Sequence, residues 1–192
     1  METDDFKIAF EKLTELLKRQ QAEHLAKPGW SKLENDDGVW ENFSKIFKFR
    51  PSTQAKDWPG IVEPKPSRTF SISHIYGPNF DKLTKELSLF YSACFANIIP
   101  VGQTINVLDW QHPCFAFDPH AGFKFQSMEE WPIPPLPNGD YYIFMTEDLS
   151  GGFFGHPWEQ TICVMGETFV SHLENAPHDV FSKLIRSDGV EV

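Results

Sequence analysis

The chain has 192 residues, 41% of them hydrophobic, and Phe alone occurs 18 times; a sequence so rich in aromatics folds, and its length fits one domain. Its 17 Lys and Arg against 27 Asp and Glu leave a net charge of −10, which argues against general nucleic-acid binding and favours a basic protein partner. No apolar run is long enough to span a membrane, Met1-Glu2-Thr3-Asp4-Asp5 lacks the positive start of a signal peptide, and Cys94, Cys114 and Cys163 sit among apolar neighbours, so a cytoplasmic protein with reduced thiols and no membrane association is expected.

Residues 5–25 place Phe6, Ala9, Phe10, Leu13, Leu16, Leu17 and Leu25 at helical spacing, with acids leading and Lys18-Arg19 trailing, which reads as an amphipathic helix stopped by Pro28-Gly29. Val39, Trp40, Phe43, Ile46 and Phe47 repeat that period in a second helix, capped from Asp36 or Asp37 and ended at Arg50 before Pro51. Prolines cluster over residues 51–66 and 132–137, the first cluster reading as a long ordered connection and the second as an extended polyproline-type segment. Residues 69–76 alternate, with Phe70, Ile72, His74 and Tyr76 against Ser71 and Ser73, and read as a half-buried strand. Beyond Gly77-Pro78, the spacing of Phe80, Leu83, Leu87, Phe90, Cys94 and Phe95 predicts a third helix. Strand patterns follow over 104–110, 114–117, 141–146, 152–155 and 160–165, joined by connections short enough to be antiparallel. A C-terminal helical region starts at Phe169, is interrupted at Pro177, and resumes through Val180, Phe181, Leu184 and Ile185.

The expected architecture is therefore α+β, a mostly antiparallel sheet with helices packed on one face. Residues 1–35 form an N-terminal amphipathic helical extension and residues 36–192 a single α+β domain.

Two segments gather costly residue types. Leu108-Asp109-Trp110-Gln111-His112-Pro113-Cys114 and Phe154-Gly155-His156-Pro157-Trp158-Glu159-Gln160-Thr161 each hold a Trp, a His-Pro pair, an acid and a Gln. Asp109, Trp110, Gln111, His112, His156, Trp158 and Glu159 are the candidate functional or binding residues. Neither segment spells a reaction: the chain has no phosphate loop, nucleophile elbow, dinucleotide fingerprint or paired-cysteine zinc signature. No catalytic residue, metal ligand set or cofactor is assigned. Cys114 lies in an apolar strand where a thiol is inert, and Asp118-Pro119-His120 lacks supporting ligands. One reading makes these residues a polar lattice, with Trp110 and Trp158 mostly buried and their indoles paired to acids such as Asp109 and Glu159. Another makes them a recognition surface flanked by Glu129-Glu130 and Glu147-Asp148.

Trp40-x-x-Phe43 with Phe47-x-Phe49-x-Pro51, the Leu108–Cys114 motif, Asn138-Gly139-Asp140-Tyr141 and the Phe154–Thr161 motif together resemble an uncharacterised, mainly bacterial domain-of-unknown-function family over residues 37–184. The resemblance implies no activity, cofactor or catalytic residue. It does imply that the two His-containing motifs belong to one site or one core lattice. The functional expectation is a non-catalytic acidic protein-binding module, of immunity or antitoxin type. The alternatives are an enzyme using the His112/His156/Glu159 region and a scaffold subunit docking through its N-terminal helix.

Overall fold

A computed structural model describes residues 22–23, 25–122 and 128–192. The expected N-terminal helix falls almost wholly outside the described residues, as does the side chain of Glu129. In chain order the elements are β1 (Trp30–Lys32), α1 (Asp36–Phe47), β2 (Ser67–Ser71), α2 (Phe80–Ile98), β3 (Ile105–Asp109), β4 (Phe115–Phe117), β5 (Tyr142–Thr146), β6 (Gly152–His156), β7 (Thr161–Met165), α3 (Glu167–His172), β8 (Lys183–Ser187) and β9 (Val190–Glu191). The nine strands form one sheet in the order β1-β4-β3-β5-β6-β7-β2-β8-β9. Every neighbouring pair is antiparallel. The fold is α+β, as the patterning predicts.

Strands β3, β6 and β7 are buried along their whole length, which requires cover on both faces of the sheet. Cross-strand register supplies two apolar rows. Val107, Phe144, Phe153 and Val164 stand opposite one another on one face. There they join Leu87, Tyr91 and Phe95 of α2 and Phe169 of α3, and Tyr91 stacks on Phe153 at 4.0 Å between ring centroids. One residue along, Leu108, Ile143, Phe154 and Cys163 form the second row, which packs with Phe43 and Phe47 of α1. Helices α2 and α3 thus share one face. Helix α1 and the connection over residues 48–66 cover the other, where Tyr141 is anchored to Ser52.

The central strands fall where the strand patterns place them, while the flanks differ. Strand β2 ends at Ser71, and Ser73–Tyr76 is a 3-10 turn rather than a continuation. Its residues find partners outside a ladder: Tyr76 donates to the Pro137 carbonyl at 2.6 Å, and His74 Nε2 lies 2.8 Å from that of Asp179. The helical spacing of Val180, Phe181, Leu184 and Ile185 yields a single turn hydrogen-bonded to the Pro177 carbonyl, after which the chain extends as β8. The reason is the open edge of β2, which pairs Arg68 with Ser187 and Phe70 with Leu184; such an edge offers main-chain partners that local propensity cannot anticipate. At the other border, β1 draws residues 30–32 into the sheet beside β4, ahead of the expected boundary at residue 36, with Trp30 stacked on Phe117. The proline segment over 132–137 buries Ile133 and Leu136 in the α2-side core. No helix among the described residues is long and apolar enough to cross a membrane.

Candidate functional site

Both motifs lie at the same end of the central strands, because β3 and β6 run the same way with β5 between them. Asp109 closes β3 opposite Tyr142, Asp140 precedes β5, and His156 closes β6 opposite Thr161. Side chains alternate across a strand, so this end divides into two hydrogen-bonded groups.

The first group is Asp109, His112 and Asp140. A tight turn through Trp110-Gln111 returns the His112 amide to the Asp109 carbonyl at 3.4 Å. It brings the His112 Nδ1 to 3.0 Å from Asp109 Oδ1 and 3.6 Å from Asp140 Oδ2. Pro113 biases the backbone of His112 towards the extended region. The Gln111 side chain is exposed, and the Tyr141 amide donates to Asp140 Oδ1 at 2.7 Å. Asp109 and Asp140 are only 8% and 6% exposed. Burial pushes the Asp109 carboxyl up to about 6, against the opposing pull of His112, and raises Asp140 as well. The hydrogen bond to Asp109 raises the His112 imidazole.

The second group is built by the hairpin between β6 and β7. Its loop, Pro157-Trp158-Glu159-Gln160, places Gln160 at φ 55°, and the Glu159 amide donates to His156 Nδ1 at 3.0 Å. That bond fixes the tautomer: Nδ1 accepts, so Nε2 carries the proton and points it at the Tyr141 hydroxyl, 3.3 Å away. Tyr141 in turn accepts the Ser52 amide at 3.0 Å and donates to the Ser52 carbonyl at 3.1 Å. His156 is fully buried, with Trp58 edge-on at 5.5 Å. Burial depresses its pKa to about 4, and the nearby Arg186 charge adds to this. Every ring nitrogen is committed, so His156 is a neutral structural residue.

Glu159 faces Arg186 of β8 through two hydrogen bonds of 2.6 and 2.8 Å. The Arg186 Nε binds Glu63 at 2.8 Å, and Thr69 binds the same Glu63 oxygen at 2.8 Å. Burial alone would raise the Glu159 carboxyl, but the Arg186 hydrogen bonds and charge outweigh it and hold the group below its usual range. This buried chain of charges ties the hairpin loop to β8 and to the connection that enters β2.

Trp110 and Trp158 are half-buried rather than mostly buried. They flank Tyr141 edge-on at 5.8 and 5.2 Å and lean on the α1-side core. Indoles at a strand end and in a hairpin loop have core on one side only. Cys114 is buried, and burial raises its thiol. Asp118 and His120 serve their own loop: the Asp118 carboxylate caps the His120 amide at 2.8 Å, and His120 Nε2 meets the Ile99 carbonyl at 2.7 Å.

Of the residues singled out in the sequence, Asp109 and His112 therefore stand together, His156 and Glu159 stand together, and the two histidines do not share a hydrogen-bonded group. Sequence reasoning missed Asp140, Tyr141, Arg186 and Glu63. The first two lie in Asn138-Gly139-Asp140-Tyr141, a segment that already carried the family resemblance. Nothing local marks Arg186 or Glu63, which acquire their roles only through the pairing of β2 with β8.

No solved structure matches the chain. The chain is similar to the uncharacterized protein YxiI of Bacillus subtilis (strain 168), with 33% identity over 155 residues, covering 76% of this chain and 91% of that protein. A family model described as "Protein of unknown function (DUF2716)" matches residues 31–170, a span that begins in β1, ends in α3 and includes both His motifs. The chain belongs to the DUF2716 family of proteins of unknown function.

Proposed function

We propose that this protein is an acidic protein-binding module acting without catalysis, and that its contact surface is the end of the central strands that carries Trp110 and Trp158 over the Asp109–Asp140 pair. The observation that carries this reading is the pair of half-exposed indoles flanking Tyr141 beside two carboxyl groups. Among the described residues, neither of those carboxyl groups pairs with a Lys or Arg. Aromatic anchors beside acids whose nearest cationic group is the exposed His112 suit a basic partner, and the net charge of −10 speeds encounter with one. The Glu34, Asp37 and Glu41 side chains, exposed in and just before α1, extend the acidic field. An immunity or antitoxin protein that neutralises a basic toxin is the biological form this reading takes. Nucleic acid is disfavoured as a partner by the same charge. Three buried free thiols suit a reducing, cytoplasmic setting.

Glu147 lies at the far end of β5 from Asp140 and is occupied by the Thr104 amide and hydroxyl at 3.1 and 2.6 Å. The informative substitutions are therefore at an indole and at the exposed acidic start of α1. The test is affinity capture from the host at low salt, followed by titration of the captured basic protein. Trp110→Ala and Asp37→Lys should weaken binding, with turnover screened in parallel. Undiminished binding by both variants would reject the surface. Substrate turnover lost on His112→Ala, with stability unchanged, would reject the non-catalytic reading.

A further inference from the structure

Asp109, His112 and Asp140 offer one nitrogen and two carboxylate oxygens within 4.8 Å of one another. Three features set this group apart from a solvated acidic patch. The donor set is mixed, with an imidazole nitrogen placed between two carboxyl groups. The acids are more than nine-tenths buried, and their close approach concentrates negative charge where water screens it poorly. The spacing is also close to that around an ion. Bonds of about 2.1 Å to a first-row divalent metal put neighbouring ligands about 3.0–3.4 Å apart; His112 Nδ1 stands 3.0 Å from the Asp109 oxygen, inside that range, and 3.6 Å from the Asp140 oxygen, so a small movement of Asp140 closes the site.

We propose that Asp109, His112 and Asp140 form a divalent-metal site of the zinc or manganese type. One imidazole with two carboxylates suits these ions, whereas calcium takes six to eight oxygens and is poorly served. His112 coordinates through Nδ1, which requires the neutral ring with its proton on Nε2. The side chain of His112 is 56% exposed, so the ion enters from solvent, and three protein donors leave a coordination position open to water or to a donor atom from a ligand. The Tyr141 amide, which donates to Asp140 Oδ1 at 2.7 Å, acts as an outer support that fixes the orientation of that carboxyl group. The proposal shares Asp109 and Asp140 with the protein-binding reading, but its test, ion binding by the chain alone, requires no partner.

The experiment uses the full chain, stripped with a chelator and titrated separately with ZnCl2, MnCl2 and CaCl2 by calorimetry and thermal melting. The expected result is one Zn2+ or Mn2+ per chain and a melting temperature raised by about 5–10 °C at an ion concentration about 100-fold above Kd. CaCl2 should give no comparable shift. Asp109→Asn, Asp140→Asn and His112→Ala should each weaken binding at least about tenfold. Glu147→Gln, at the opposite end of β5, should leave it unchanged. Circular dichroism of the metal-free variants separates lost ligation from lost folding, and His112→Ala, which alters the most exposed member of the group, is the variant least expected to disturb the core. Absence of saturable Zn2+ or Mn2+ binding by the wild type would overturn the site and leave two acids sharing a proton. Binding retained by all three ligand variants would overturn it too.

Discussion

His156 shows how a residue that looks catalytic in the sequence becomes structural in the fold. Its Nδ1 caps the Glu159 amide and its Nε2 proton meets Tyr141, so protonation would break an accepted hydrogen bond inside a buried site. Unfolded, a histidine titrates near about 6.5; folded, this one titrates at about 4. Between those values the unfolded chain binds more protons. The stabilisation is therefore complete above pH 6.5 and is lost as the pH falls towards 4, amounting to about 3 kcal/mol in all. Urea denaturation at pH 7 and pH 4.5 should show the wild type losing more stability than His156→Gln over that interval. The raised Asp109 carboxyl acts in the opposite sense between about pH 4 and its folded value, so only the difference between wild type and variant isolates the histidine. Equal losses would mean that the imidazole is protonated in the fold. The two Trp residues belong to the same scale. With core contact on one side only, Trp110→Ala and Trp158→Ala should each cost about 2 kcal/mol by chemical denaturation, below the 3–5 kcal/mol typical of a fully buried aromatic.

At the scale of elements, β8 depends on what it pairs with. Its buried Arg186 bridges Glu63 and Glu159, and removing one member of a buried charge group strands the others. Arg186→Ala should cost about 3–5 kcal/mol, measured as a shift in the urea midpoint. Glu159→Gln should cost less, because Arg186 keeps Glu63 and the amide keeps an acceptor. A loss below about 1 kcal/mol for Arg186→Ala would mean that the three groups are hydrated in solution. The β5–β6 hairpin has a steric constraint of its own. A Cβ at Gly152 would lie 1.9 Å from the Phe144 carbonyl oxygen, at φ 152°. Gly152→Ala should therefore destabilise the sheet by several kcal/mol, in the upper range for single substitutions, and lower the yield of folded protein.

For the whole molecule, the net charge of −10 has a kinetic consequence. Association with a basic partner should slow as ionic strength rises, because charges farther apart than about 8 Å are screened at physiological salt. Asp37→Lys should lower the association rate and flatten its salt dependence while leaving dissociation nearly unchanged, as stopped-flow or surface binding would show. A variant that altered only dissociation would place Asp37 inside the interface rather than in its outer field.

The short β-rich, largely apolar runs over residues 104–110, 141–146 and 160–165 determined the central strands, because a strand covered on both faces reads as a nearly unbroken apolar run. The helical periods of α1 and α2 were legible because each buries one stripe of a helix. Turn chemistry was legible too: a His-Pro pair before Trp-Glu-Gln marks the end of a strand, although not what its imidazole binds. Tertiary structure alone decided the rest. Leu184 and Ile185 fit a helix in isolation and a strand beside the open edge of β2. Asp140 became a neighbour of His112, and Arg186 of Glu63 and Glu159, only through strand pairing between residues far apart in sequence. Those contacts also decide which group each histidine joins, because hydrogen-bond partners depend on distances of about 3 Å that no local pattern encodes.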